Sequence, residues 1–145
     1  MVIDPEKSQI DALTQQAYQR ALYEVFIDAP FVLRIGVRNT KLAALFEQYR
    51  VASAAFITAY NPFGELVSEA SNRAAQNRLL SHLSQLRLFT LPGIGKDPSG
   101  SWPGEPSFLV LGASMATACD VGKKFSQNAI VWADGDAVPT LLLLR

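Results

Sequence analysis

The residues able to do chemistry gather in a few short stretches. Tyr60-Asn61-Pro62 ends the apolar run AAFITAY, and Ser68 and Asn72 follow it four residues apart. GSWPGEPSF holds Trp102, Glu105 and Ser107, SQNA holds Gln127 and Asn128, and Arg34 interrupts FVLRIG. Asn bonds its own backbone in turns and Pro lacks a donor for a ladder, so Asn61-Pro62 first of all ends a strand. Ser68 is a natural helix cap over Ser71. With a helix starting nearer Glu65, Ser68 and Asn72 instead share one face beside Asn61, and a helix N-terminus carrying hydroxyl and amide donors takes an anion or carboxylate.

Glu105 sits between Gly104 and Pro106. It is either a solvated carboxylate or, shielded by Trp102 and Tyr60, a general acid or base with Tyr60 or Ser107 as helpers. Trp102 in a Gly-, Pro- and Ser-rich loop plugs the edge of the core or closes over a ligand. Gln127 and Asn128 follow a helix end, where Asn adopts a left-handed cap. Arg34 alternates out to solvent or points inward as a guanidinium for an anion.

Other chemistries find no support. His82 is the only histidine and Cys119 the only cysteine, which leaves no histidine triad, intrachain disulfide or cysteine zinc site. GIGKDPSG lacks the strand, Lys-Ser/Thr and helix order of a phosphate loop. No metal or cofactor is expected. Thirteen Lys+Arg against thirteen Asp+Glu give zero formal charge, so nucleic acid is not an expected partner. MVIDPEKSQIDAL does not read as a signal peptide and no apolar run approaches the roughly 18 residues of a span, so no membrane association and a cytoplasmic location are expected.

The elements that must position these groups follow from periodicity. The 145 residues are 49% hydrophobic and 18% charged, which suits one globular domain over 1–145. Residues 5–20 read as a helix behind Asp4-Pro5, YEVFI and FVLRIG as a hairpin turning at Asp28-Ala29-Pro30, and KLAALFEQY as a short helix capped by Asn39 or Thr40. AAFITAY, 54–60, reads as a central strand. A helix over about 66–86 follows, with Ala70, Ala74, Leu80, Leu83 and Leu86 on its apolar side. RLFTLP is a strand ending at Pro92, and 93–106 a loop. SFLVLG, a helix from Ser114 to about Phe125 with Gly122 approaching the sheet, AIVWAD and VPTLLLL complete the chain.

From residue 54 this order is the split β-α-β of a ferredoxin-like α+β fold, over about residues 54–145, preceded by the helix, hairpin and short helix. In that topology the first two core strands are parallel and the other two run against them. The end of strand 54–60, the start of the long helix, loop 93–106 and the junction at 126–129 therefore meet at one end of the sheet.

FITAYNPFG, SEASNRAAQNRLL, GSWPGEPSFLVLG and KKFSQNAIVW together resemble a bacterial family known only as domain of unknown function 3293, over roughly residues 10–145. The resemblance implies a small soluble single-domain bacterial protein and no particular activity, with Tyr60, Asn61, Pro62, Asn72, Trp102, Glu105, Ser107 and Gln127 as recurring positions.

The expected function is binding of a small polar or anionic molecule, a nucleotide or amino-acid derivative, in an amide-rich pocket at that end of the sheet. Asn61, Asn72 and Gln127 would orient it, Arg34 or the helix start bearing Ser68 would meet negative charge, and Trp102 would close over it. Whether the protein is an enzyme stays open. The alternative is an interaction module without a ligand pocket, its partner another protein or a second copy in a homodimer.

Overall fold

The computed structural model describes residues 2–145. The chain order is α1 (Ala12–Arg20), β1 (Leu22–Val25), β2 (Phe31–Leu33), α2 (Thr40–Tyr49), β3 (Ala54–Ile57), α3 (Glu69–Gln85), β4 (Phe89–Lys96), β5 (Glu105–Leu111), α4 (Met115–Lys124), β6 (Ala129–Ala133) and β7 (Thr140–Leu143). The strands form one seven-stranded sheet in the order β2-β1-β4-β5-β3-β6-β7, and every neighbouring pair is antiparallel. The fold is therefore mixed α and β. The β3–β5 pairing sets Ile57 opposite Phe108, and the β4–β5 pairing sets Gly95 opposite Glu105. Both registers bring the ends of β3 and β4 together with the starts of β5 and β6.

Strand alternation divides the core in two. Ala55 and Ile57, with Val110, Ile130 and Leu142, face α3 and α4, where Ala75, Leu79, Leu83, Ala118, Cys119 and Val121 cover them. Gly122 is required in that layer, because a Cβ there would lie 2.6 Å from Leu144 and 2.8 Å from Ile130. Tyr23, Val25, Phe31, Leu33, Phe56, Leu109 and Val131 face the other way and meet Leu42, Leu45 and Phe46 of α2. Asn39 anchors α2 by accepting from the Leu42 N–H and donating to the Val32 carbonyl.

The sheet curls around this second core. The segment after β2 reaches the β6–β7 turn, where Gly36 N–H donates to Pro139 O at 2.8 Å and Asn39 N–H to Ala137 O at 2.9 Å. At the other end of β7, Ile3 N–H donates to Leu143 O and Gln9 N–H to Arg145 O, so the N-terminal segment runs along this edge strand before α1 begins. No helix among the described residues is long and apolar enough to cross a membrane.

Two boundaries and one buried face differ from the sequence reading. Residues 5–20 are not one helix: a single turn of 3-10 helix, Pro5–Lys7, precedes α1, which starts behind its cap Asp11. The loop expected over 93–106 is shorter, 97–104, because β4 runs through Pro92 to Lys96 and β5 starts at Glu105. Pro92 is tolerated because its carbonyl accepts from Phe26 N–H on the β1 side, so its missing donor falls where that ladder ends. The buried side of α3 is Asn72, Ala75, Gln76, Leu79 and Leu83, while Ala70, Ala74, Leu80 and Leu86 are exposed. Two amides extend the apolar stripe at its N-terminal end, where periodicity counted only apolar residues.

Gly93 lies under the Phe56 ring. A Cβ at Gly93 would sit 2.5 Å from the Glu24 carbonyl oxygen and 2.8 Å from Phe56, whereas one at Gly95 would meet nothing closer than 3.8 Å. Gly93→Ala is expected to destabilise the fold by about 1–3 kcal/mol, as overpacking does, and Gly95→Ala by less than about 0.5 kcal/mol. Urea denaturation of both variants measures the difference.

Candidate functional site

Beyond β3 the chain makes an unusual turn. Asn61 is left-handed at φ 48°, Phe63 at φ 55° and Gly64 at φ 75°, with Pro62 between. Asn tolerates that conformation better than other side chains, but Phe does not, and strain of this kind persists only where the surroundings enforce it. Here the enforcement is a hydrogen-bond node. Asn61 N–H donates to Asn72 Oδ1 at 2.8 Å, and Asn72 Nδ2 returns a bond to Asn61 Oδ1 at 2.9 Å. Asn61 Nδ2 then donates to Glu105 Oε2 at 2.7 Å. One side chain thus ties the end of β3 to the first turn of α3 and the start of β5.

The α4–β6 junction closes the same corner. Ser126, not Gln127 or Asn128, takes the left-handed cap, at φ 57°. Phe63 N–H donates to Ser126 O, and Gln127 Nε2 donates to the carbonyls of Tyr60 and Phe125. Asn128 Nδ2 donates to the Tyr18 hydroxyl, and its Oδ1 accepts from Arg145 Nη1 at 3.1 Å. The Arg145 guanidinium also lies 4.2 Å from the centre of the Phe63 ring, a cation–π distance.

Between this corner, the curled sheet and α1 lies a cavity of about 620 Å³, within the size range of small-molecule sites. Its floor is the sheet face that α2 leaves uncovered, with Tyr23, Phe56, Val131 and Leu141. Tyr60, Asn61, Trp102, Glu105, Ser107 and Gln127 line one wall. Tyr18, Asn128 and Arg145 also line it, and Leu13, Phe63 and Leu66 rim its mouth. The sequence reading singled out the first six and missed Tyr18 and Arg145. Both come from segments remote from residues 54–130, and only the curling of the sheet brings them in.

Three sequence-derived positions lie elsewhere. Arg34 is exposed just after β2, since Phe31 and Leu33 take the inward positions of that strand and alternation sends Arg34 out. Ser68 is the N-cap of α3: its hydroxyl accepts from Ser71 N–H, and it stays exposed outside the cavity. Asn72 is 3% exposed and spends its amide on Asn61, so it braces the site without reaching it.

The remaining bonding capacity defines what the cavity offers. Tyr60 donates its hydroxyl to Glu69 Oε1 at 2.8 Å, and Ser107 donates to the backbone carbonyl of Glu105 at 2.9 Å. Neither is free to help Glu105 as the sequence reading supposed. By contrast, no hydrogen bond among the described residues reaches Glu105 Oε1 or leaves Trp102 Nε1. The buried side-chain atom without a partner among the described residues is Gln76 Nε2, outside the cavity. The Tyr18 hydroxyl accepts from Asn128 and keeps its own proton to donate. Burial pushes the Glu105 carboxyl above its ordinary value of 4.5, partly offset by the Asn61 hydrogen bond. Burial likewise raises Tyr18, with Glu105 adding to the shift, so its phenol stays a neutral donor. No group of three or more His, Cys, Asp or Glu suited to a metal occurs among the described residues.

A family model described as a protein of unknown function (DUF3293) matches residues 57–130, a little over half of the chain. The chain belongs to that family. The matched stretch includes Asn61, Asn72, Glu105 and Gln127 but not α1 or Arg145. No curated protein and no solved structure matches the chain.

Two measurements test the node. Asn72→Ala removes the acceptor of the Asn61 N–H and the donor to Asn61 Oδ1, and is expected to cost about 1–3 kcal/mol of stability in urea. Glu105 titrates higher folded than unfolded, so the stability it contributes is whole below pH 4.5 and is lost as pH rises through its folded value. Glu105→Gln keeps an acceptor for Asn61 but does not titrate. The stability of the wild-type chain relative to Glu105→Gln should therefore fall as pH is raised to neutrality, and a pH-independent difference would contradict the shift.

Proposed function

We propose that the protein binds a small polar molecule in this cavity, with Glu105 as the group that orients it. The observation that carries this reading is the Glu105 carboxylate, which lines the cavity and is fixed through Oε2 by Asn61, while Oε1 receives no donor among the described residues. A built acceptor facing a cavity of ligand size is the usual form of a recognition group. The Tyr18 hydroxyl, close enough to Glu105 to feel its charge, supplies a donor in the same cavity, and Trp102 also lines it. Of the two ligand classes the sequence suggests, an amino-acid derivative is favoured over a nucleotide. Arg145 is the one cation among the lining residues, and Asn128, Gln9 and Phe63 already engage it. A polyphosphate would need more.

The same reading extends to the scaffold. The segment β3-α3-β4-β5-α4-β6 is taken as a ferredoxin-like core, supported by the strand order β4-β5-β3-β6, all antiparallel, and by the shared sheet face under both helices. If a reaction takes place in the cavity, Glu105 is the proton-transfer group, since its raised pKa and free oxygen suit a general acid or base.

Thermal-shift screening with L-amino acid amides tests the reading. A bound amide at about 100 times its dissociation constant adds roughly 2.7 kcal/mol and should raise the melting temperature, and Glu105→Gln should lose most of that shift. Absence of any stabilisation across the amides and nucleotides, together with concentration-dependent sedimentation, would favour the self-association module instead.

A further inference from the structure

The cavity is two-sided in chemistry. Glu105, Tyr18 and Trp102 offer polar contacts at one wall, while the floor of Phe56, Val131 and Leu141 offers none. Apolar side chains also line it in the open, beside the exposed Gln9 and Asp11: Leu13 is 77% exposed and Leu66 82% exposed. Each is a single apolar side chain that would be unremarkable elsewhere on a surface. Here both rim one opening, from α1 and from the link between β3 and α3, and Phe63 joins them. The charges lining the cavity are the carboxylates of Asp11 and Glu105 and the guanidinium of Arg145. Asp11 caps α1 through the Thr14 N–H, and Arg145 is held by Asn128. Asp11 is exposed, whereas Glu105 is partly buried and keeps one oxygen without a donor among the described residues, so the enclosed charged group with bonding capacity left is an acceptor.

Resting on the binding reading above, we infer that the ligand is an amphipathic amine: an amino head on Glu105 Oε1 and an apolar chain running over the floor and out between Leu13 and Leu66. An amine satisfies the unpartnered carboxylate oxygen and opposes its charge, and a chain of several carbons would dry the apolar floor and rim. A carboxylate head in the same position would face Glu105 and be repelled.

The probes are butylamine, hexylamine and octylamine, with hexanoate and octanoate of matching length and L-alanine amide as a short polar ligand, each titrated by calorimetry against the full chain. The expected result is affinity rising about fourfold for each added methylene of the amine, with the fatty acids binding at least tenfold more weakly than the matching amines. Leu66→Ser should flatten the chain-length dependence. Glu105→Gln should weaken all three amines by a similar factor. Binding of L-alanine amide with no gain on lengthening the chain would overturn the apolar chain and leave the binding reading standing. Octanoate binding as tightly as octylamine would overturn the amine head. Failure of every probe, L-alanine amide included, would overturn both.

Discussion

One side chain carries the geometry of this end of the molecule. Asn61 stands in a left-handed conformation in front of a proline, a strained arrangement, and its amide faces two ways at once. Toward α3 it exchanges bonds with Asn72, and toward β5 it holds the Glu105 carboxylate. In a buried setting each of these bonds is worth more than in water, and each is costly to leave unmade. The network therefore sets the spacing of strand, helix and neighbouring strand, and the orientation of the Glu105 carboxylate follows from it.

The cavity itself results from incomplete coverage. The curled sheet has two faces to bury. α3 and α4 suffice for one, while α2 fills only part of the other. The rest is roofed by α1 and the segment that hydrogen-bonds along β7, neither of which packs a continuous apolar stripe onto the sheet. α1 has no buried residue. A roof of that kind leaves space over Phe56 and Val131, and polar residues from four loops and strand ends crowd its far wall. Desolvation by that enclosure, rather than any neighbouring negative charge, raises Glu105.

Local rules foretold much of this arrangement. The order of strands and helices placed the ends of β3 and β4 beside the starts of β5 and β6. Asn61, Trp102, Glu105 and Gln127 therefore gather at one end of the sheet on element order alone. Ser68 could not be assigned between cap and ligand group, since both use the same hydroxyl, and whether the helix starts nearer Glu65 or at Glu69 decides it. The buried stripe of α3 was misread because Asn72 and Gln76 are polar. They are buried because Asn61 and Ala59 offer them partners, and a partner distant in sequence leaves no mark on periodicity.

What the sequence determined alone is the order of helices and strands, the apolar runs that build the core, and the end of the sheet where the polar groups meet. These follow from backbone periods of 2 and 3.6 and from turn chemistry, which act over a few residues. Only the tertiary structure decided that Asn72 braces while Glu105 is offered, that Arg34 stays outside, and that Tyr18 and Arg145 join the cavity. Those outcomes depend on the curl of the sheet and on which hydrogen bonds are already spent, and both are set by contacts between residues as far apart as Tyr18 and Asn128.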